Sequence, residues 1–187
     1  MRQGTAVSAH LITLVIGGAR SGKSRYGESL IISLPPPWAY VATAERLDVE
    51  MAERVAAHRA RRGHGWATIE APRDLPGALS AHASTPVLID CLTLWLSNLM
   101  LADADIADET ERLEDALRKR TAPVVMIANE VGSGIVPEHA LARRFRDQHG
   151  LLNQHIAVIA DRVVLMVAGL PLSVKGGSAN AGSRSSS

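Results

Sequence analysis

The run Gly17-Gly18-Ala19-Arg20-Ser21-Gly22-Lys23-Ser24 restricts this chain to few folds. It satisfies G-x-x-x-x-G-K-[ST], a loop whose backbone N–H groups close around phosphate oxygens when it joins a strand to a helix. The flanks supply both partners. Leu11 to Ile16 is a short apolar run that reads as a buried strand, and Ser24 to Ser33 can form a helix. In that setting all eight loop residues lie against phosphate, Lys23 reaches the β- and γ-phosphates, and the Ser24 hydroxyl holds Mg²⁺. The chain is therefore expected to bind a nucleoside triphosphate, GTP or ATP, with that ion.

The rest of the sequence repeats the pattern of short apolar strand, polar turn and helix. Strands are expected at Trp38–Ala44, Trp66–Glu70, Pro86–Asp90, Pro123–Ala128 and Arg162–Ala168. Helices are expected from Leu47 to Arg62, from Asp74, from Thr93 to Leu101, from Glu111 to Arg120, and from Glu138 to Asp161 with an interruption or bend near Gly150. The acidic stretch Ala102 to Thr110 reads as a solvated loop. Continuous apolar strands alternating with helices predict an α/β fold: a mostly parallel sheet flanked by helices. Ligands of such sheets collect at the C-terminal strand ends. Those ends carry the glycine-rich loop, Ala42-Thr43-Ala44, Asp90 and Asn129-Glu130.

At 187 residues the chain is long enough for one domain, expected over residues 11–175 with flexible termini at 1–10 and 176–187. The formal net charge of +1 provides no basic surplus for nucleic acid. No apolar run approaches the roughly 18 residues that span a bilayer, and no signal peptide is legible, so a cytoplasmic protein is expected. The single cysteine, Cys91, excludes an internal disulfide and reads as a buried, inert thiol.

Two further residues point to chemistry. Asp90 closes an apolar strand, the position of an acid that holds Mg²⁺ together with Ser24; a strand-end acid capping the next helix has the same appearance. His58 lies on the Met51/Val55 stripe, which by periodicity alone makes it a packed histidine. Its neighbours Arg54, Arg59, Arg61 and Arg62 change that reading. Clustered arginines call for an anion among them, although a solvated helix face with extended side chains looks the same, and nearby positive charge keeps imidazole neutral and nucleophilic. That combination suits attack on phosphorus. Glu70, at the end of the Trp66 run, is placed to bond a ligand hydroxyl or base edge, although a surface acid would look the same. The Asn129-to-Pro137 loop is a candidate lining for an acceptor site.

Four segments together resemble one family: Gly17–Ser24, Tyr40-Val41-Ala42-Thr43-Ala44, residues 50–59 ending in His58-Arg59, and Asn129–Pro137. It is the bifunctional adenosylcobinamide kinase/adenosylcobinamide-phosphate guanylyltransferase family of cobalamin biosynthesis. The resemblance runs from about Leu11 to Lys175 and includes Leu141 to Gln154. It implies a RecA-like P-loop fold, a homotrimer, and two reactions. The first is phosphorylation of adenosylcobinamide by a nucleoside triphosphate. The second is transfer of GMP from GTP, through a covalent GMP–histidine, to adenosylcobinamide phosphate. His58 stands at the position of that histidine. The resemblance also places Ala42, Thr43, Ala44, Arg59, Ala60, Arg61, Arg62, Glu70 and Asp90 at GTP.

Overall fold

A computed structural model of the chain describes residues 12–45 and 63–177. The helix expected between Leu47 and Arg62, the termini 1–10, and the tail beyond residue 177 lie outside the described residues. The described residues form twelve elements, in the order β1 (Ile12–Gly17), α1 (Lys23–Ile32), β2 (Trp38–Ala42), β3 (Trp66–Glu70), α2 (Leu75–Ala81), β4 (Val87–Asp90), α3 (Leu92–Leu101), α4 (Ile106–Arg118), β5 (Val124–Asn129), α5 (Ala140–Ile159), β6 (Arg162–Val167) and β7 (Leu170–Lys175).

The seven strands form one sheet in the order β3-β2-β4-β5-β1-β6-β7. All neighbours are parallel except β6 and β7. The central strands are apolar on both faces because both are covered. Alternate residues of each strand serve opposite faces. Leu14, Val41, Ile89, Met126 and Val163 pack with α2, α3, α4 and α5, whereas Val15, Tyr40, Leu88, Ile127 and Val164 pack with α1. Trp95 and Leu96 of α3 are fully buried core, as their apolar surroundings predict.

Three features differ from the sequence expectations. The acidic stretch is not all loop: α4 begins at Ile106, with the Asp105 carboxylate accepting the Ala107 and Asp108 N–H groups. Asp108 and Glu109 fill its first turn, where negative charge is favoured by the helix dipole. Next, α5 runs for 20 residues straight through Gly150. A glycine in a helix interior costs only about 1 kcal/mol, which the packing of Leu152 and Ile156 offsets. Finally, β7 was not anticipated. Val167 pairs with Leu170 across a two-residue turn, and Ala168 (φ 50°) and Gly169 (φ 83°) are both left-handed, the signature of the tight hairpin turn. Ala-Gly is a weaker sequence signal for that turn than Asn-Gly.

Candidate nucleotide site

Gly17 ends β1 between Asn129 of β5 and Met166 of β6. A Cβ there would lie 2.6 Å from the Met166 carbonyl oxygen, so no side chain fits. Gly22, at φ 94°, is the N-cap that turns the chain into α1. Between them Arg20 holds φ 55°, a conformation that costs a non-glycine residue about 1–2 kcal/mol. Strain of this kind gathers where a loop clamps a ligand. At Gly18 no atom lies within 4 Å of a Cβ position, leaving the space over the loop open. The Ser21 hydroxyl is buried without a hydrogen-bond partner, and phosphate oxygens would supply one.

Lys23 is 7% exposed, and its ammonium donates to the Gly18 carbonyl at 2.6 Å. Burial pushes its pKa below the usual lysine value, while the proximity of Cys91 and Asp90 acts the other way. The ammonium is thus held across the loop by its own backbone. Facing it, Asp90 Oδ2 accepts from the Ser24 hydroxyl at 3.0 Å and from the Tyr40 hydroxyl at 3.1 Å. Hydroxyl and carboxylate are hard oxygen donors, the set that Mg²⁺ prefers. Ser24 and Asp90, 66 residues apart in sequence, are thus hydrogen-bonded to each other.

Register brings further strand ends side by side. Ala42 of β2 lies opposite Asp90 on one side and Glu70 on the other. Thr43 is fully buried, and its hydroxyl exchanges 2.7 Å bonds with the Cys91 carbonyl and N–H. That hydroxyl is committed to locking β2 to β4. Cys91 is 8% exposed, and burial pushes its thiol up to about 11, consistent with an inert thiol. His58, Arg59, Ala60, Arg61 and Arg62 lie outside the described residues.

Sequence reasoning missed the residues that hold this rim together. Asn98 of α3 donates to the Thr43 carbonyl at 2.7 Å and to the Pro72 carbonyl at 2.9 Å, tying the ends of β2 and β3. Trp95 Nε1 bonds the Arg73 carbonyl at 2.7 Å. Thr93 accepts from the Asn129 N–H at 2.8 Å and meets buried His149 Nε2 at 3.0 Å. The signal was available: a threonine and an asparagine inside the apolar stretch Leu92–Leu101 must find partners when buried. On the P-loop side, the Glu130 N–H donates to the Gly17 carbonyl at 2.9 Å, which joins the Asn129–Pro137 loop to the phosphate cradle. The Glu130 carboxylate accepts from the Gly132 and Ser133 N–H groups and so braces its own turn.

With this geometry in hand, comparison with known proteins decides among P-loop activities. The sequence profile described as cobinamide kinase / cobinamide phosphate guanyltransferase matches residues 13–174. The chain belongs to this family. Among its relatives, the bifunctional adenosylcobalamin biosynthesis protein CobP of Pseudomonas aeruginosa is 44% identical over 167 residues, 87% of this chain and 96% of that protein. The bifunctional adenosylcobalamin biosynthesis protein CobU of Salmonella typhimurium is 40% identical over 88% of this chain and 100% of its own length. The Escherichia coli protein of the same name is 39% identical over the same shares. A solved ATPase from the type III secretion system of pathogenic bacteria shares the fold, with a TM-score of 0.54 over 88% of this chain and 57% of its own at 9% identity. The cobinamide kinase/guanyltransferase chain is thus an enzyme built on the RecA-like P-loop architecture. Among the described residues no helix is long and apolar enough to cross a membrane.

Proposed function

We propose that this enzyme carries out both reactions of its family, with GTP or ATP as phosphoryl donor. In the first, the aminopropanol hydroxyl oxygen of adenosylcobinamide attacks the γ-phosphorus. The nucleoside diphosphate leaves and the hydroxyl proton is released. In the second, a ring nitrogen of His58 attacks the α-phosphorus of GTP and pyrophosphate leaves. A phosphate oxygen of adenosylcobinamide phosphate then displaces His58 from that phosphorus, giving adenosylcobinamide-GDP. The observation that carries the reading is the Lys23–Ser24–Asp90 assembly within a family match spanning residues 13–174.

The roles of the chain's own groups follow from charge and position. The loop N–H groups and the first turn of α1 bind phosphate, and Lys23 neutralises the charge that builds on it. Ser24 and Asp90 would hold Mg²⁺, which when bound adds its charge against the phosphate oxygens. Glu70 and the Ala42–Ala44 segment are assigned to GTP, as are Arg59, Ala60, Arg61 and Arg62. The exposed residues Leu170, Leu172 and Val174 of edge strand β7 support a homo-oligomer, a trimer by family resemblance. The net charge of +1 fits an enzyme with no nucleic-acid partner, and a cytoplasmic location is proposed with it.

The test is incubation with GTP labelled at the α-phosphate. Acid-labile, alkali-stable label on the wild type and none on His58→Ala is expected. Label retained by His58→Ala would sink the role of His58. γ-Phosphate transfer with no protein label in the wild type would leave a kinase alone.

A further inference from the structure

Among the described residues Asp90 is the one carboxylate hydrogen-bonded to Ser24, so whatever fixes its rotamer also fixes the cation position. Ser24 cannot do this alone. Its hydroxyl is itself a ligand candidate, and a single bond leaves a carboxylate free to pivot. The second bond comes from Tyr40, on β2. Its hydroxyl donates to the same Oδ2 at 3.1 Å, against 3.0 Å for Ser24. The other oxygen of Asp90 takes no hydrogen bond among the described residues.

Tyr40 is itself packed in place. It is 6% exposed, and its ring meets Trp66 edge-on at 6.4 Å and 78°. Trp66 in turn packs on Trp38 at 5.5 Å. Trp38 and Trp66 are register partners on β2 and β3, so the aromatic group is fixed to the sheet at two strands. The phenol is therefore delivered to Asp90 from a rigid support, at the edge of the phosphate site. A competing partner for the carboxylate lies close by: the Lys23 ammonium interacts with Asp90 electrostatically. An Asp90 released by Tyr40 can turn toward that charge and away from the cation.

We infer that Tyr40 is a positioning residue for the cation site: its hydroxyl holds Asp90 in the orientation that, with Ser24, receives Mg²⁺. This rests on the assignment of Ser24 and Asp90 to Mg²⁺ above. It goes further in identifying the hydroxyl of a strand tyrosine as part of that site. The carbon skeleton of Tyr40 has a separate role in the core, so Tyr40→Phe isolates the hydroxyl.

The experiment is a Mg²⁺ titration of a fluorescent GTP analogue bound to the whole enzyme, with a parallel titration in EDTA. Tyr40→Phe is expected to raise the Mg²⁺ concentration for half-maximal effect about three- to tenfold, on the order of one charge-assisted hydrogen bond. Its affinity for the analogue in EDTA should stay within twofold of wild type. Asp90→Asn serves as the control. If Asp90→Asn shifts the Mg²⁺ dependence and Tyr40→Phe leaves it within twofold, the role of Tyr40 is overturned while the cation site stands. If neither variant shifts it, the cation site assignment fails, and the Tyr40 inference with it. A Tyr40→Phe variant that loses affinity equally with and without Mg²⁺ would mark the hydroxyl as general support for the fold, which also overturns the inference.

Discussion

His149 shows how one buried ring ties the site to pH. It is 1% exposed, and Asn153 Nδ2, which also donates to the Asn129 carbonyl, lies 3.3 Å from its Nδ1. An amide nitrogen can only donate, so Nδ1 accepts, and Nε2–H donates to Thr93 Oγ1. Both ring nitrogens are then used by the neutral form. Burial lowers the pKa of His149 below the usual histidine value of 6.5, and the Glu130 carboxylate opposes the shift. A depressed folded-state pKa means that the unfolded chain binds more protons below about pH 6.5. Stability should therefore be complete above that pH and fall as pH drops from it toward the folded value. Melting temperatures between pH 5 and 8 check this, and His149→Gln should flatten the acid side of the curve. An unchanged slope in His149→Gln would assign the pH dependence elsewhere. Nothing in the residues near His149 along the chain reveals its contacts with Thr93 and Asn153.

Among the elements, the short helix α2 depends on a residue far from it in sequence. Asp74 caps its start, accepting the Gly77 N–H, and Pro76 lies in its first turn. Those signals were legible. Its far end is closed by Arg120, 4% exposed, whose guanidinium donates to the carbonyls of Leu79, His82 and Thr85. Burial pushes that guanidinium down to about 10, yet it stays charged at neutral pH and faces the negative end of the helix dipole. Arg120→Met keeps apolar bulk but strips three carbonyls of their donor. It should cost about 2–4 kcal/mol of stability, by the penalty for unpaired buried groups, read as a lower urea midpoint. A loss within 0.5 kcal/mol, the range of ordinary surface changes, would show that water replaces the guanidinium. On α4, by contrast, the Glu114–Arg118 pair at 2.6 Å joins residues four apart on one helix, a local contact.

For the whole molecule, the surface that bears on assembly is β7. The strand closes one edge of the sheet, and Leu170, Leu172 and Val174 are 71%, 58% and 60% exposed. Exposed apolar residues on an unpaired edge invite a partner. The turn before the strand also touches the nucleotide loop, with the Gly169 N–H donating to the Ser21 carbonyl at 3.1 Å. Assembly through this edge would brace the phosphate cradle. Leu170→Glu combined with Leu172→Glu should shift sedimentation from the proposed trimer to smaller species, with nucleotide affinity measured on the same samples. Trimers that persist in that variant would move the interface away from β7.

The phosphate loop, the parallel strands and the pairing of Asp90 with Ser24 were legible because each follows from a local pattern: a glycine spacing, an apolar run, a carboxylate at a strand end. The family was legible for a related reason, since its motifs are short contiguous segments. Contacts between distant segments left no such trace. Tyr40 became more than a strand residue only when β2 and β4 came side by side, and Thr93, Asn98 and His149 acquired partners only when α3 and α5 packed beside the strand ends. Local backbone preference acts within a few residues, and a sequence displays it. Hydrogen bonds across 48, 50, 55 or 66 residues exist only after burial has brought their groups together and removed the water that would otherwise satisfy them.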